Sequence, residues 1–345
     1  MKTKITILIG LFLISQIPAI FAYPGESLVL DANGDYIITY WNGARILQAK
    51  HIPATKIEPT LTSTFKLGDA WLNTYRYTLA NGQNARQPID SIRFRGMTSV
   101  FSNQPIIRPS SGMSPQAAIA ALQSSRYPII TPARWDGSTG RDPFNSSATQ
   151  VNWHFSTDDH PNDPLVGVMP SSTQSGFGFA SLDLPGVVAV RLEGNTPIQQ
   201  GYEDEGPGSD SAIYAQLDQL EKNDFLLRNA AAPMIAVPTP FNAAVTLEGI
   251  QAHMHTWIDK QLLDAAFSAQ LDSYFQAAIA AYRLNQPLVG KHQVETLRAM
   301  IKQQQPDAES QAASVNPIAM PPAKIDLLAA RILFFDLLYV TERGT

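Results

Sequence analysis

Short runs of apolar and β-branched residues, separated by turn residues, fill the first half of the chain and predict β-strands. Residues 28–30 and 36–40 are two such runs, and Asn33-Gly34 lies between them. Two β-rich runs around an Asn-Gly pair are the strongest short-range signal for a β-hairpin. The sequence therefore predicts that the β region begins with a hairpin.

A second hairpin is predicted around Asn81-Gly82. Residues 71–79 alternate so that most of their aromatic side chains share one face of a strand, and residues 89–94 supply a return strand. Further strand signals follow at residues 150–155, 176–182 and 187–192. Short strands separated by turns at this spacing predict a β-sandwich, to which we assign residues 23–200.

The apolar positions take on the period of an α-helix toward the C-terminus. Residues 246–284 carry one long apolar stripe, and a last helix at residues 324–342 is apolar nearly all round. The sequence thus predicts an all-α helical module at residues 246–345. Residues 201–245 are assigned to one helix and an Ala/Pro-rich linker, with the linker at residues 230–242.

The N-terminus has the pattern of a cleavable signal peptide at residues 1–22. Lys2 and Lys4 precede an apolar run at residues 5–14, and a looser stretch ends at Ala22. The alternative is an N-terminal membrane anchor, but the run is about half of the ~20 residues that span a bilayer. We predict a secreted or periplasmic protein that is not an integral membrane protein once the signal is removed.

Composition narrows the functional classes. Hydrophobic residues make up 44% of the chain and charged residues 16%, which is typical of a globular protein. The net charge is −5, and no block of Lys and Arg provides an electrostatic surface for nucleic acid. The chain has no cysteine, which excludes disulfides, thiol catalysis and cysteine-bound metal.

Three tryptophans of the β region are candidates for ligand contact. Trp41, Trp135 and Trp153 lie in or beside its predicted loops. Aromatic rings exposed at the end of a sandwich can stack on the sugar rings of a glycan. The alternative is that these side chains fill the core, because aromatic residues bury large areas.

Asp158, Asp159 and His160 are candidates for a divalent cation site, because Ca²⁺ and similar ions take oxygen and imidazole ligands. The alternative is a solvated loop in which the aspartates bond to their own backbone. Residues 31–35 also begin like a Ca²⁺ loop, but they lack its later ligands and favour a hairpin turn. The sequence indicates no other cofactor.

Several short motifs occur in a characteristic order along the chain. They are residues 71–82, residues 87–89, Gly176-Phe177-Gly178-Phe179, Pro185-Gly186, Thr256-Trp257-Ile258-Asp259, Leu271-Asp272 and the apolar last helix. This order resembles a loosely defined group of exported bacterial proteins that join a β-sandwich to a small helical module of the FIVAR/FIMAH-like kind. The resemblance implies an extracellular or envelope protein without a known catalytic site, and it transfers no functional residue.

The sequence lacks the motifs of the common hydrolases and nucleotide-binding proteins. It has neither a Gly-x-Ser-x-Gly elbow nor a Gly-rich phosphate loop before a helix. We therefore predict a non-catalytic protein that acts by binding or scaffolding, with a glycan or an envelope protein as partner. The alternative is a secreted hydrolase of polysaccharide or peptide, in which carboxylates such as Asp136, Asp142 and Glu193 converge only in the fold.

Overall fold

Two compact units make up the chain in the computed structural model. The structure describes residues 24–99, 101–102, 117, 127–156, 167–195, 207, 212–309 and 323–344. The predicted signal peptide and the segment holding Asp158, Asp159 and His160 lie outside these residues. Unit 1 comprises Met1–Pro53 and Thr196–Asp224, and unit 2 comprises Ala54–Asn195 and Phe225–Thr345.

Unit 1 contains a three-stranded antiparallel sheet and one helix. The strands β1 (Ser27–Leu30), β2 (Tyr36–Trp41) and β3 (Ile46–His51) lie in that order, and the helix α1 spans Ala212–Asn223. Their buried side chains form one small core. Its members are Ile38, Tyr40, Ala49, Ile213 and Leu217.

The first predicted hairpin is confirmed, since β1 pairs antiparallel with β2 around the Asn33-Gly34 turn. Gly34 has a φ of 72°, which glycine adopts readily. The Asp31 carboxylate accepts hydrogen bonds from the backbone N–H groups of Asn33 (2.7 Å) and Asp35 (3.0 Å). Lys50 Nζ lies 2.9 Å from the carboxylates of both Asp31 and Asp35. These acidic side chains are therefore engaged in holding the turn.

Unit 2 contains a β-sandwich of two five-stranded sheets, which confirms the predicted β region. One sheet has the order β13-β12-β6-β10-β9 and the other the order β4-β5-β11-β8-β7. Neighbours are antiparallel except β7 and β8. The strands are β4 (Pro59–Leu67), β5 (Asn73–Asn81), β6 (Ile89–Met97), β7 (Phe101–Ser102), β8 (Tyr127–Ile130), β9 (Trp135–Asp142), β10 (Asn145–Phe155), β11 (Ser172–Ser181), β12 (Leu184–Gly194) and β13 (Leu226–Ile235).

Aromatic rings from both sheets meet in the sandwich core. The rings of Tyr77 on β5 and Phe94 on β6 lie 4.6 Å apart between centroids, and Trp153 on β10 stacks on Phe179 of β11 at 6.0 Å. The Tyr77 hydroxyl donates a 2.7 Å hydrogen bond to the carbonyl of Ala231. The aromatic face predicted for residues 71–79 is thus buried from Asn73 onward.

The second predicted hairpin is wrong. Both strands exist, but β5 pairs with β4 and β11, whereas β6 belongs to the opposite sheet. The connection between them crosses from one sheet to the other. Asn81 holds it, because its buried side-chain amide donates to the carbonyls of Gln87 (2.8 Å) and Val168 (3.0 Å).

The C-terminal part is helical as predicted, but its first helix is interrupted. Residues 246–284 form two helices, and Gln261, with φ of 57°, lies in the break between them. The side chain of Asp264 then caps the second helix by accepting from the N–H of Phe267 at 2.8 Å. The helices are α2 (Ala243–Asp259), α3 (Ala265–Arg283), α4 (Pro287–Gln304) and α5 (Leu327–Arg343), and 3₁₀ turns lie at Asp69–Trp71 and Pro306–Glu309.

The Ala/Pro-rich linker predicted at residues 230–242 is wrong, because much of it lies in β13. This strand pairs along its length with β12. The helices share a core with the sandwich: Phe65 on β4 meets Phe335 on α5 with centroids 5.1 Å apart. Among the described residues, none of the helices has the length and apolar character needed to cross a membrane.

Candidate functional site

Two of the three candidate tryptophans lie in the sandwich core. Trp153 is fully buried, and its indole N–H donates to the carbonyl of Ile130 at 3.1 Å. Trp135 is 5% exposed and packs edge-on against Phe177 at 4.9 Å. Trp41 is half-buried at the end of β2 in unit 1. The burial of Trp135 and Trp153 supports the core-filling alternative for these two residues.

Candidate metal ligands do not converge in the part of the chain that the structure describes. Those residues contain no group of three or more His, Asp and Glu side chains arranged to hold an ion. The candidates Asp158, Asp159 and His160 lie outside the described residues. The described part of the chain therefore shows no cation site.

A pocket of about 90 Å³ lies in unit 2, between the edge strand β4 and the helices. We call it the arginine pocket. It is assembled from four separate segments of the chain. Its lining residues are Ser63, Thr64 and Phe65 of β4, Arg298 of α4, Ala308 and Glu309 of the 3₁₀ turn, and Arg331, Phe334, Phe335 and Leu338 of α5.

The apolar part of the arginine pocket is built by aromatic residues. Phe65 projects from the edge strand and meets Phe335 edge-on, with an interplanar angle of 83°. Phe334 and Phe335 follow each other on α5, and both are largely buried. Because these rings are fixed by the core, they form a preorganised apolar surface for a ligand.

Two guanidinium groups lie beside this apolar surface. The Arg298 guanidinium carbon lies 4.4 Å from the centroid of the Phe334 ring. The Arg298 Nε is buried and has no hydrogen-bond partner among the described residues. Arg331 donates from Nε to the carbonyl of Asp307 at 3.3 Å. Within the described ranges, neither arginine forms a salt bridge with a carboxylate.

Glu309 carries the one carboxylate among the described residues of the pocket lining, and this carboxylate is already paired. Its side chain bonds to Lys302, and this bond is the main reason that the pKa of Glu309 is lowered. The charge of Arg298 lowers this pKa further. Glu309 is therefore ionised at neutral pH, and Lys302 offsets its charge.

The lining of the arginine pocket combines positive charge with apolar surface. The two arginines, which form no salt bridge within the described ranges, carry the charge, and the aromatic rings provide the apolar surface. Of the two hydroxyl groups in the lining, that of Ser63 accepts a hydrogen bond from the backbone N–H of Ala231 at 3.1 Å. Among the described residues, the lining contains no histidine and no carboxylate other than that of Glu309.

One carboxyl group elsewhere in unit 2, that of Asp90, has a perturbed pKa. Burial raises the pKa of Asp90 to about 7, and the neighbouring carboxylate of Glu193 contributes. Asp142, in contrast, has a structural role. It accepts hydrogen bonds from Arg95 (2.7 Å) and from the backbone N–H groups of Gly96 (3.0 Å) and Phe144 (2.9 Å).

Comparison of the chain with protein-family models, with curated proteins and with solved structures found no match. The resemblance to exported proteins with a FIVAR/FIMAH-like module therefore stays a prediction.

The arginine pocket was not predicted from the sequence. Its parts are distant in the chain, and only the fold brings β4 to the last helix. One signal was available: Arg331 interrupts a helix that is otherwise apolar nearly all round. A charged residue in such a position needs a specific partner or a solvent-accessible opening.

Proposed function

We propose that this chain is an exported, non-catalytic protein that binds its partner through the arginine pocket. The observation that carries the proposal is the combination of Arg298 and Arg331, which form no salt bridge with a described carboxylate, with a preorganised apolar surface. Arginines that lie beside aromatic rings are typical of binding sites for anionic groups. The absence of hydrolase motifs from the sequence supports binding over catalysis.

Export is the first part of this proposal to test. The full-length sequence would be expressed in a bacterium, and the N-terminus of the accumulated protein would be determined. We expect a chain that begins near Tyr23 and is recovered from the periplasm or the medium, because residues 1–22 have the signal pattern. Recovery of a chain that retains Lys2 and Lys4 in the cytoplasm or the membrane would contradict export.

Binding is tested by retention on the immobilised protein. A panel of purified polysaccharides and the envelope proteins of the host would be passed over the wild type and over an Arg298→Gln/Arg331→Gln double variant. We expect a specific component to be retained by the wild type and lost with the double variant. Equal retention by both proteins would show that binding does not require the arginine pocket.

A hydrolase remains the second candidate function because of Asp90 and Glu193. Two neighbouring carboxyl groups, one of which keeps its proton near pH 7, are what acid-catalysed glycoside hydrolysis requires. The same polysaccharide panel would be assayed for cleavage by the wild type, by Asp90→Asn and by Glu193→Gln. Turnover that both substitutions abolish would establish the enzyme and displace the binding function.

A further inference from the structure

The arginine pocket also specifies the chemical class of its ligand. We propose that it binds a carboxylate attached to a short branched hydrocarbon, an inference that rests on the proposed binding function. The ligand can come from two sources, a free branched-chain acid or the C-terminal leucine or valine of another protein. Both present the same carboxylate and the same hydrocarbon to the pocket.

The charge of the pocket selects an anion. Arg298 and Arg331 bring two positive charges, and the carboxylate of Glu309, the only one among the described lining residues, is bonded to Lys302. A carboxylate matches the planar guanidinium group with two parallel hydrogen bonds.

The size of the pocket selects the hydrocarbon. A volume of about 90 Å³ is smaller than the ~150 Å³ cavity that holds benzene. It therefore suits a branched group of about four or five carbon atoms, and it is too small to enclose a whole sugar ring. The rings of Phe334 and Phe335 provide the apolar contacts.

The positively charged and the apolar parts of the pocket lie next to each other, so one ligand can contact both. Arg298 stacks on Phe334, so a guanidinium group lies directly beside the apolar surface. A ligand that places its hydrocarbon against the rings thereby presents its carboxylate to the arginines. Neither a neutral hydrocarbon nor a small inorganic anion satisfies both halves of the pocket.

Calorimetric titration of the full-length expressed protein with 4-methylpentanoate tests the inference. We expect a dissociation constant between about 10 µM and 1 mM, as suits a small ligand with one ion-pairing group. The neutral isostere 4-methylpentanamide keeps the hydrocarbon and removes the charge. It should bind about tenfold or more weakly, because the arginines are left without their anion.

Substitutions assign the binding to the pocket. Arg331→Gln should weaken binding of 4-methylpentanoate by about tenfold, and the Arg298→Gln/Arg331→Gln double variant should abolish measurable binding. Arg331→Gln leaves the Arg298–Phe334 stack in place, so it provides a test even if the double variant fails to fold. The matched control is Arg283→Gln, an exposed arginine on α3 that pairs with Glu248, and its binding should be unchanged.

Peptides distinguish the two sources of the ligand. A short peptide ending in leucine with a free carboxylate would be compared with the same peptide carrying a C-terminal amide. Tighter binding of the free-carboxylate peptide than of 4-methylpentanoate identifies a protein C-terminus, and tighter binding of the small acid identifies a free metabolite. Either result supports the inference, provided that the amidated peptide binds more weakly.

Three results would overturn the inference. They are equal binding of the acid and the amide, unchanged binding by a folded Arg331→Gln variant, and no binding of either acid or peptide at about 10 mM. If the retention experiment still finds a partner in any of these cases, the binding function stands and only this ligand class fails.

Discussion

At the scale of single residues, the buried imidazole of His253 makes the folded protein less stable at acidic pH. Its Nε2 is buried without a hydrogen-bond partner among the described residues, and its ring packs edge-on against Trp257. Burial, with a contribution from Lys260, lowers the pKa of His253 to about 4. The folded protein thus holds this imidazole neutral at pH values where the unfolded chain binds a proton.

Stability should therefore fall as the pH drops from about 6.5 to 4, because over this range the unfolded state binds more protons at residue 253. Over this pH range, His253 should lower the free energy of unfolding by about 2–3 kcal/mol. His253→Gln should remove this loss, as measured by the midpoint of thermal unfolding between pH 7 and pH 4.5. His292→Gln, at an exposed position on α4, is the control. An acid dependence unchanged by His253→Gln would refute the assignment.

For Asp90 we expect the opposite dependence of stability on pH. Its pKa is raised from 3.8 to about 7, so the folded state keeps a proton that the unfolded state has lost. Stability from this group should fall as the pH rises from about 4 to 7, since the folded state binds more protons there. At pH 8, Asp90→Asn should be more stable than the wild type by about 2–4 kcal/mol in denaturant unfolding. A variant that is less stable at pH 8 would contradict the burial argument.

At the scale of secondary-structure elements, the side chain of Asp326 fixes the start of α5, the helix that backs the arginine pocket. It accepts hydrogen bonds from the N–H groups of Leu328 (2.8 Å) and Ala329 (3.4 Å). Asp326→Ala should lower the free energy of unfolding by about 1 kcal/mol. Asp326→Ser should lower it much less, because serine is also a good N-cap residue. Asp259→Ala, at the C-terminal end of α2, is the matched control and should be neutral or slightly stabilising. An equal loss in both variants would exclude a capping effect.

The elements were largely predictable from the sequence, whereas their partners were not. The alternating apolar face of β5 and the apolar stripe of α3 are local patterns, and both appear in the structure. The pairing of β5 with β11 depends on residues about a hundred positions away, and the local Asn81-Gly82 signal pointed to the wrong partner. A buried Asn81 that bonds to distant carbonyls has the same sequence signature as a turn.

The strand β13 was missed for a related reason. Ala230, Ala231 and Ala232 are fully buried, yet alanine and proline are poor strand formers, so the segment has the composition of a linker. Strands β12 and β13 approach each other closely. An added Cβ at Gly186, on β12, would lie 2.7 Å from the Cβ of Met234 on β13. Small residues in this region therefore suit the close packing. Tertiary packing therefore stabilises this strand although its residues have a low intrinsic propensity for β-structure.

At the scale of the whole molecule, the helices and the sandwich of unit 2 share one core. In α5, the buried side chains include Ala329, Leu333 and Leu337, which lie along one face, but also Phe335 and Tyr339. Phe335 packs on Phe65 of β4, and Tyr339 packs on Trp71 with centroids 5.3 Å apart. A helix buried on nearly all sides needs partners from both parts of unit 2.

Residues 243–345 should therefore fail to fold when they are expressed alone. Removing the sandwich exposes the rings of Phe335 and Tyr339, and exposed aromatic surface of this size removes several kcal/mol of hydrophobic stabilisation. We expect the full-length protein to show a cooperative thermal transition by circular dichroism and the excised helices to show none. A cooperative transition of the excised helices would establish an independent helical domain.

The function proposed for this chain requires that a ligand binds where β4 meets the helices. This requirement is tested by hydrogen–deuterium exchange of the full-length protein with and without saturating 4-methylpentanoate. We predict slower exchange of the backbone amides of Phe65, Ala308 and Glu309 and of the segment of α5 around Phe334. Slower exchange confined to other segments, such as the strand that ends at Trp41, or no change anywhere at saturation, would contradict it.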